Sequence, residues 1–242
     1  MKLTTLAILF AIIWQPAVSQ ESFSKGQVVF TGGIGVPHLT KTAIKLIVKT
    51  DAFKSTFNDV ANVKVSGLNP ICLKGEYGFK KYFGLGASFA VWNLKIDLTD
   101  RYNVLKAGQS LGSDSTDTYQ FKITSTSFGL RPVIHIPLED SQNDVYISMG
   151  FGYTKLALTV DFNSTDVNRS LPILDYKKKF SLPGSFYFSP LFGYRHYFSK
   201  AAGFYLELGW EKGSVIQAGF ALRLGKVNSK VNSETEKKKS DK

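Results

Sequence analysis

The chain has 242 residues, of which 14% are aromatic and only 20% charged, with 21 glycines and a formal net charge of +11. Few charges together with many aromatic residues and glycines are untypical of disordered and long-helix proteins, so the composition favours an all-β protein. Because Cys72 is the only cysteine, a fold built on intramolecular disulfides is excluded.

The N-terminus predicts an export signal that is removed. Lys2 gives a positive start, an apolar run extends from Leu3 to Trp14, and Ala17-Val18-Ser19 supplies the small residues of a cleavage site. The apolar run is shorter than the ~20 residues that a membrane anchor needs. With this run assigned to the signal, the near-neutral mean hydropathy argues against a helical membrane protein.

Alternation of apolar and polar residues with period two predicts eight strands after the signal. They lie at Gln27–Gly35, Ile71–Phe79, Phe83–Leu98, Tyr119–Ile136, Asp144–Phe162, Ser185–Ser199, Gly203–Trp210 and Ser214–Gly225. Several are longer than the ~9–11 residues that cross a bilayer, so we expect them to project beyond it. The alternation changes parity after Val91 and after Tyr153, which indicates either bulges or the points where strands leave the membrane.

The first long connection, Val36–Pro70, predicts a short amphipathic helix from about Thr40 to about Thr50. Its lysines recur every four residues at Lys41, Lys45 and Lys49, and apolar residues share another face. Two interpretations stay open. The helix is a cap packed on the barrel mouth, or an interfacial element whose lysines contact lipid phosphates or a partner.

The two faces of the predicted strands carry different side chains. Over residues 28–35, 71–79, 83–91, 124–134, 145–154, 186–198, 204–210 and 215–224, one face carries most of the aromatic residues, including Phe30, Phe89 and Phe128, and the other carries glycines and all the charged residues. An eight-stranded barrel has an interior that side chains just fill, so the bulky aromatic face must point outward, into lipid. The charged face then lines the lumen, where we predict an ion-pair network of Lys74, Glu76, Arg131, Arg195, Glu207 and Arg223.

Two segments carry a resemblance to a known family. Leu73–Phe79 (LKGEYGF) and Phe83–Ser88 (FGLGAS) resemble the small eight-stranded outer-membrane β-barrels of Gram-negative bacteria, the OmpA/OmpX-like class. The last strand resembles the signal that the barrel-assembly machinery recognises, at Gln217, Gly219, Leu222 and Leu224, although the usual C-terminal aromatic residue is absent. The resemblance implies residence in the outer membrane but no single shared function.

No residue pattern typical of catalysis or of metal or cofactor binding is recognisable. His38, His135 and His196 lie far apart without metal-ligand spacing, and His196 and Ser199 fall on opposite faces of a strand. We therefore expect no enzyme, no cofactor and no metal. The basic charge suits outer-membrane lipid and lipopolysaccharide phosphates, or a glycan or protein partner at the outer loops, better than nucleic acid.

The sequence thus predicts an all-β, closed, antiparallel, eight-stranded transmembrane β-barrel with a structural or surface-interaction role and no open pore. Its predicted parts are a signal peptide (1–19), the barrel (20–225) and a basic, disordered periplasmic tail (226–242). One alternative is a soluble secreted lipocalin-like barrel that binds an apolar ligand, with bulky residues inside and the charged face outside. A less favoured one is a lipid-modifying outer-membrane enzyme.

Overall fold

The computed structural model describes residues 23–50, 62–104, 113–138, 140, 142–164 and 175–225. The elements are β1 (Val28–Val36), α1 (Leu39–Val48), β2 (Asn62–Ser66), β3 (Ile71–Lys80), β4 (Phe83–Val104), β5 (Ser113–Ile136), β6 (Asn143–Ser164), β7 (Asp175–Tyr197), β8 (Ala202–Glu211) and β9 (Ser214–Leu224). Within these ranges no helix has the length and apolar character needed to cross a membrane. The predicted signal peptide and the basic tail lie outside the described residues.

Eight of the strands close into a ring in which every neighbouring pair is antiparallel. The order is β1, β3, β4, β5, β6, β7, β8 and β9, and the ring closes where β9 pairs with β1, from Val28↔Leu224 to Val36↔Ile216. The predicted all-β, eight-stranded barrel, with a short helix in the first long connection, is therefore confirmed. At the level of the fold, so is the resemblance to the small eight-stranded barrels.

The structure differs from the predicted boundaries mainly at four places. β2 is an additional strand in the first long connection and pairs only with the upper part of β4, from Asn62↔Thr99 to Ser66↔Lys95. β4 continues to Val104 instead of ending at Leu98, β5 begins at Ser113 instead of Tyr119, and β7 begins at Asp175 instead of Ser185. Five residues are too few for β2 to show a period, and the lysine-rich start of β7 is typical of a loop.

The barrel has a low side and a high side. β1, β3, β8 and β9 contain 9 to 11 residues, whereas β4 to β7 contain 22 to 24. The β3–β4, β5–β6 and β7–β8 turns lie at one end, and the extra length of the four long strands lies at the other, together with the short β8–β9 turn. We call this extension, Val91–Val104, Ser113–Ser127, Thr154–Ser164 and Asp175–Gly184, the outer wall.

Within the barrel the outward face is apolar and the inward face is charged. Phe30, Phe128 and Phe220 are 50%, 57% and 74% exposed. The six predicted lumen residues Lys74, Glu76, Arg131, Arg195, Glu207 and Arg223 are all buried. This arrangement is the reverse of the one that a soluble lipocalin-like barrel requires.

The polarity of the outward face inverts where β4 enters the outer wall. β4 and β5 pair without interruption from Phe83↔Ile134 to Val104↔Ser113, so no bulge rotates the side chains. The side of β4 that carries Phe89 therefore also carries Lys95, while Leu94 continues the lumen side. Of the two explanations predicted for the parity change after Val91, a bulge between β4 and β5 is therefore wrong.

A bulge does occur in β7. Its pairing with β6 shifts between Thr154↔Ser185 and Leu156↔Leu182, which leaves two residues of β7, Pro183 and Gly184, opposite one residue of β6. The second position favours glycine because a Cβ atom there would lie 2.7 Å from the Thr154 carbonyl oxygen, which belongs to the backbone of β6.

Candidate functional site

Glu207 on β8 is the centre of a cluster in the part of the lumen nearer the long connections. Its side chain is fully buried. Oε1 accepts hydrogen bonds from Arg131 Nη2 and from the Tyr146 hydroxyl, both at 2.7 Å. Oε2 accepts from the Lys74 ammonium group. One carboxylate thus joins β3, β5 and β6 to β8 across the interior.

Lys74 extends this cluster toward the β8–β9 turn. Its Nζ donates to Glu211 Oε2 at 2.6 Å and to Gln217 Oε1 at 2.7 Å. Lys212 comes next, with its Nζ 3.3 Å from Glu211 Oε1 and 3.0 Å from Ser88 Oγ. Ionised, Lys74, Arg131 and Lys212 carry three positive charges against the two of Glu207 and Glu211.

A second cluster surrounds His135 near the short turns. Its Nδ1 lies 2.7 Å from Asp144 Oδ1, and its Nε2 lies 2.6 Å from Glu76 Oε1. Arg195 bridges the same two carboxylates, with Nη2 2.6 Å from Glu76 and Nη1 3.0 Å from Asp144. Both imidazole nitrogens face carboxylate oxygens, an arrangement that favours the doubly protonated imidazolium, and with His135 in that form the four charges balance.

An aromatic side chain from the N-terminal segment closes this end of the lumen. Phe23, which is only 3% exposed, stacks on His135 with ring centroids 3.5 Å apart. The backbone of the segment is fixed by hydrogen bonds from Gly26 N–H to Gly78 O at 2.8 Å and from Gly78 N–H to Gln27 O at 2.9 Å. Phe23 therefore acts as a plug over the charged cluster.

The structure divides the six predicted lumen residues among three places. Lys74, Arg131 and Glu207 form the first cluster, and Glu76 and Arg195 belong to the second. Arg223 lies apart, with its guanidinium 3.9 Å from the centre of the Tyr197 ring and 3.3 Å from the Lys200 carbonyl oxygen. Between the clusters, a space lined partly by Val29, Gly86 and Val133 has no room for a water molecule.

Sequence reasoning missed two carboxylates of these clusters. Asp144 has the same even parity on β6 as the inward-facing Tyr146, and Glu211 has the same odd parity on β8 as Glu207. Both lie at strand ends, where an acidic residue is as typical of a turn as of a lumen. The alternation of β6 read from its first predicted residue identifies Asp144, and that of β8 extended by one residue identifies Glu211.

The helix α1 is fixed at its first turn above the barrel. The His38 side chain caps the helix by accepting a hydrogen bond from Lys41 N–H at 3.3 Å, and its ring packs edge-on against Trp92 at 4.8 Å. Leu39 N–H donates to Gly213 O in the β8–β9 turn at 2.8 Å. Burial lowers the pKa of His38, and the nearby Lys41 charge lowers it further.

The three helix lysines have different surroundings. Lys41 is half-buried, and its Nζ donates to Asn69 Oδ1 at 2.7 Å and to Gly67 O at 3.3 Å. Lys45 and Lys49 are exposed, next to Leu46 and Ile47, which are 64% and 56% exposed. Lys41 therefore holds the helix to the chain, and the outer half of α1 presents two lysines beside two apolar side chains.

The predicted assembly signal and the two residues weighed for catalysis also have defined places. Gln217 belongs to the first lumen cluster, and Leu222 and Leu224 on β9 are half exposed on the outward face. Gly219 lies against the backbone of β1, where a Cβ atom would lie 2.1 Å from Gly32 O. His196 Nδ1 contacts Asn143 Oδ1 at 2.9 Å, whereas the Ser199 hydroxyl accepts from Ala202 N–H in the next turn at 2.8 Å.

Two solved structures similar to this chain are crystal structures of Ail, the attachment invasion locus protein of Yersinia pestis. One of them is a complex with the heparin analogue sucrose octasulfate. Each comparison covers 83% of this chain and 99% of Ail, at 14% sequence identity and a TM-score of 0.35. No protein-family model and no curated protein sequence matches the chain.

Proposed function

We propose that the protein is an integral outer-membrane β-barrel with a closed lumen and a structural and surface-interaction role. The observation that carries this proposal is the inversion of polarity along one continuous sheet. The outward side of β4 and β5 is apolar in the barrel and polar in the outer wall, without a register shift between them. A bilayer that surrounds the barrel and ends below the wall accounts for this change, because lipid requires an apolar surface and water requires a polar one.

The ion-pair clusters support a structural lumen in place of an aqueous channel. Buried charges are tolerated when they are paired and hydrogen-bonded, and the carboxylates of Glu76, Asp144 and Glu207 each contact two cationic groups. Water-filled channels belong to barrels of 16–18 strands. A lumen that side chains fill leaves the outer wall, α1 and the outer connections as the interacting parts.

The outer half of α1 supports a contact with the outer leaflet of the membrane. Lys45 and Lys49 flank the exposed Leu46 and Ile47, which is the combination that interfacial helices use to bind anionic lipid. We expect Lys45→Glu with Lys49→Glu to reduce the amount of lipopolysaccharide that copurifies with the barrel. Lys64→Glu on β2 is the matched control, because Lys64 is also exposed but outside the helix. Unchanged copurified lipid would contradict the contact.

The β9 residues Gln217, Gly219, Leu222 and Leu224 remain the proposed signal for the barrel-assembly machinery. Their support is that β9 is the strand that closes the ring against β1. Glycans and proteins are proposed as further partners of the outer connections.

Membrane fractionation combined with gel mobility tests the proposed function. We expect the chain to sediment with outer membranes and to migrate faster in an unboiled sample than in a boiled one, because a closed barrel resists detergent until it is heated. A chain found in the soluble fraction, with the same mobility before and after boiling, would reject the proposal.

A further inference from the structure

The outward side of the outer wall contains a basic cleft. It has a volume of about 580 Å³ and lies on β5, β6 and β7. Three lysines, Lys122, Lys155 and Lys179, and the hydroxyl groups of Thr124, Thr126, Thr159 and Ser181 line it. Ammonium and hydroxyl groups are hydrogen-bond donors, so the lining is suited to an anion with several oxygen atoms.

Strand register places these side chains around one small residue. Lys122, Thr159 and Lys179 are direct neighbours in one row across the three strands, and Ala157 lies in the next row between Thr124 and Ser181. Adjacent strands are ~4.8 Å apart, so the backbones of the two row lysines are about 10 Å apart. That spacing leaves room for one anion above Ala157, within reach of both side chains.

The cleft lies directly above the lipid-facing aromatic residues. On β5, Phe128 is the second outward residue below Thr124, with Thr126 between them. On β7, the Pro183–Gly184 bulge lies between Ser181 and Phe186. Phe128 and Phe186 are 57% and 87% exposed on the outward face. At the boundary between aromatic and polar outward residues, the cleft is at the height of the lipid headgroups.

The nearest carboxylates on this face have partners of their own. Asp161 is 3.2 Å from Lys177, and Asp97 is 3.2 Å from Lys95. Among the residues that the structure describes, no carboxylate forms an ion pair with the three cleft lysines. The cleft therefore concentrates positive charge that an external anion can neutralise.

We infer that this cleft binds a phosphate group of an outer-leaflet glycolipid. The phosphate lies above Ala157, where the lysines supply charge and the hydroxyls supply hydrogen bonds, and the acyl chains extend along Phe128 and Phe186. The exposed aromatic residues directly below the lysines favour a lipid over a free phosphate ion. This inference rests on the membrane orientation proposed above, and it assigns a lipid site to the wall in addition to the contact proposed for α1.

Binding of lipid A to the detergent-solubilised full-length barrel tests the inference. Native mass spectrometry or the lipid-induced rise in the unfolding midpoint gives the affinity. Lys122→Ala and Lys179→Ala should each weaken binding about fivefold, and the double variant roughly thirtyfold, because one basic residue near a lipid surface contributes about 1 kcal/mol. Ala157→Phe should abolish binding by filling the cleft without changing any charge.

Lys178→Ala is the matched control. Lys178 is the chain neighbour of Lys179 but lies on the opposite face of β7, with its ammonium group 5.1 Å from the centre of the Phe180 ring. The Lys178→Ala variant should bind lipid A with the same affinity as the unmodified protein. The inference would be overturned if Ala157→Phe and the double lysine variant both bound lipid A as tightly as the unmodified protein.

Two further arms identify the ligand chemistry. Lipid A from which both phosphates have been removed should bind much more weakly, and equal binding would overturn the assignment to phosphate. Inorganic phosphate at the same concentration should not compete, and full competition would overturn the assignment to a lipid. Gel mobility distinguishes failure of this inference from failure of the proposed function. All variants should keep the heat-dependent shift in mobility. If the unmodified chain lacks this shift, membrane residence itself is rejected.

Discussion

Replacing Glu207 by alanine should destabilise the barrel more than the loss of any one surface ion pair. Glu207 accepts hydrogen bonds from Arg131, Lys74 and Tyr146 and is fully buried. Without it, Arg131, Lys74 and Lys212 face each other with Glu211 as the remaining carboxylate of the cluster. An unpaired buried charge costs about 3–5 kcal/mol, so we expect a loss of that size in the free energy of unfolding.

Urea unfolding of the barrel in detergent measures this loss. With a typical denaturant dependence of about 2 kcal/mol per molar urea, the midpoint should fall by roughly 2 M. Lys177→Ala is the control, because the Lys177–Asp161 pair is largely exposed and such pairs contribute ~0–1 kcal/mol. An unchanged midpoint for Glu207→Ala would refute the reasoning that the cluster stabilises the barrel.

Two further predictions concern the two ends of the barrel. Phe23→Ala should lower the free energy of unfolding by about 3 kcal/mol, the low end of the range for truncation of a core aromatic residue. It should also make His135 accessible to a water-soluble reagent that modifies imidazole, because Phe23 stacks on that ring. Unchanged protection of His135 would contradict the plug. At the other end, the lowered pKa of His38 means that the folded state favours the neutral ring, so docking of α1 is strongest above pH ~6.5 and weakens as the pH falls below that value. Trypsin cleavage at Lys45 should therefore accelerate on acidification. His38→Asn should remove this pH dependence, because the asparagine amide can still cap the helix but does not titrate. A cleavage rate of the unmodified protein that does not change with pH would argue against the cap.

Most of the fold follows from alternation, because a barrel of eight strands has room inside for glycines and a few charges but not for aromatic rings. The start of β7 could not be predicted from alternation, since three consecutive lysines from Lys177 to Lys179 and the Pro183–Gly184 pair are typical of a loop. In the folded barrel, these lysines alternate between the two faces of a strand that its neighbour β6 holds in place through Thr159↔Lys179.

The lumen residues were predictable as a set but not as pairs. Parity alone identifies Lys74, Arg131 and Glu207 as inward-facing. Which of them meet depends on the height of each side chain along the barrel axis, and the stagger between strands that sets this height is not encoded in the period of any one strand. The same reason explains why the basic cleft was not predicted, because it needs the register of three strands at once.

Spin-label accessibility along β4 tests the central claim most directly. In a Cys72→Ala background, labels placed one at a time at Leu85, Phe89, Lys95 and Asp97 all project from the same side of one uninterrupted strand. In lipid bilayers, positions 85 and 89 should be accessible to oxygen and protected from a water-soluble nickel complex, and positions 95 and 97 should show the opposite preference. Equal access of the nickel complex to all four positions would contradict an outward face that lies in lipid below the wall and in water within it.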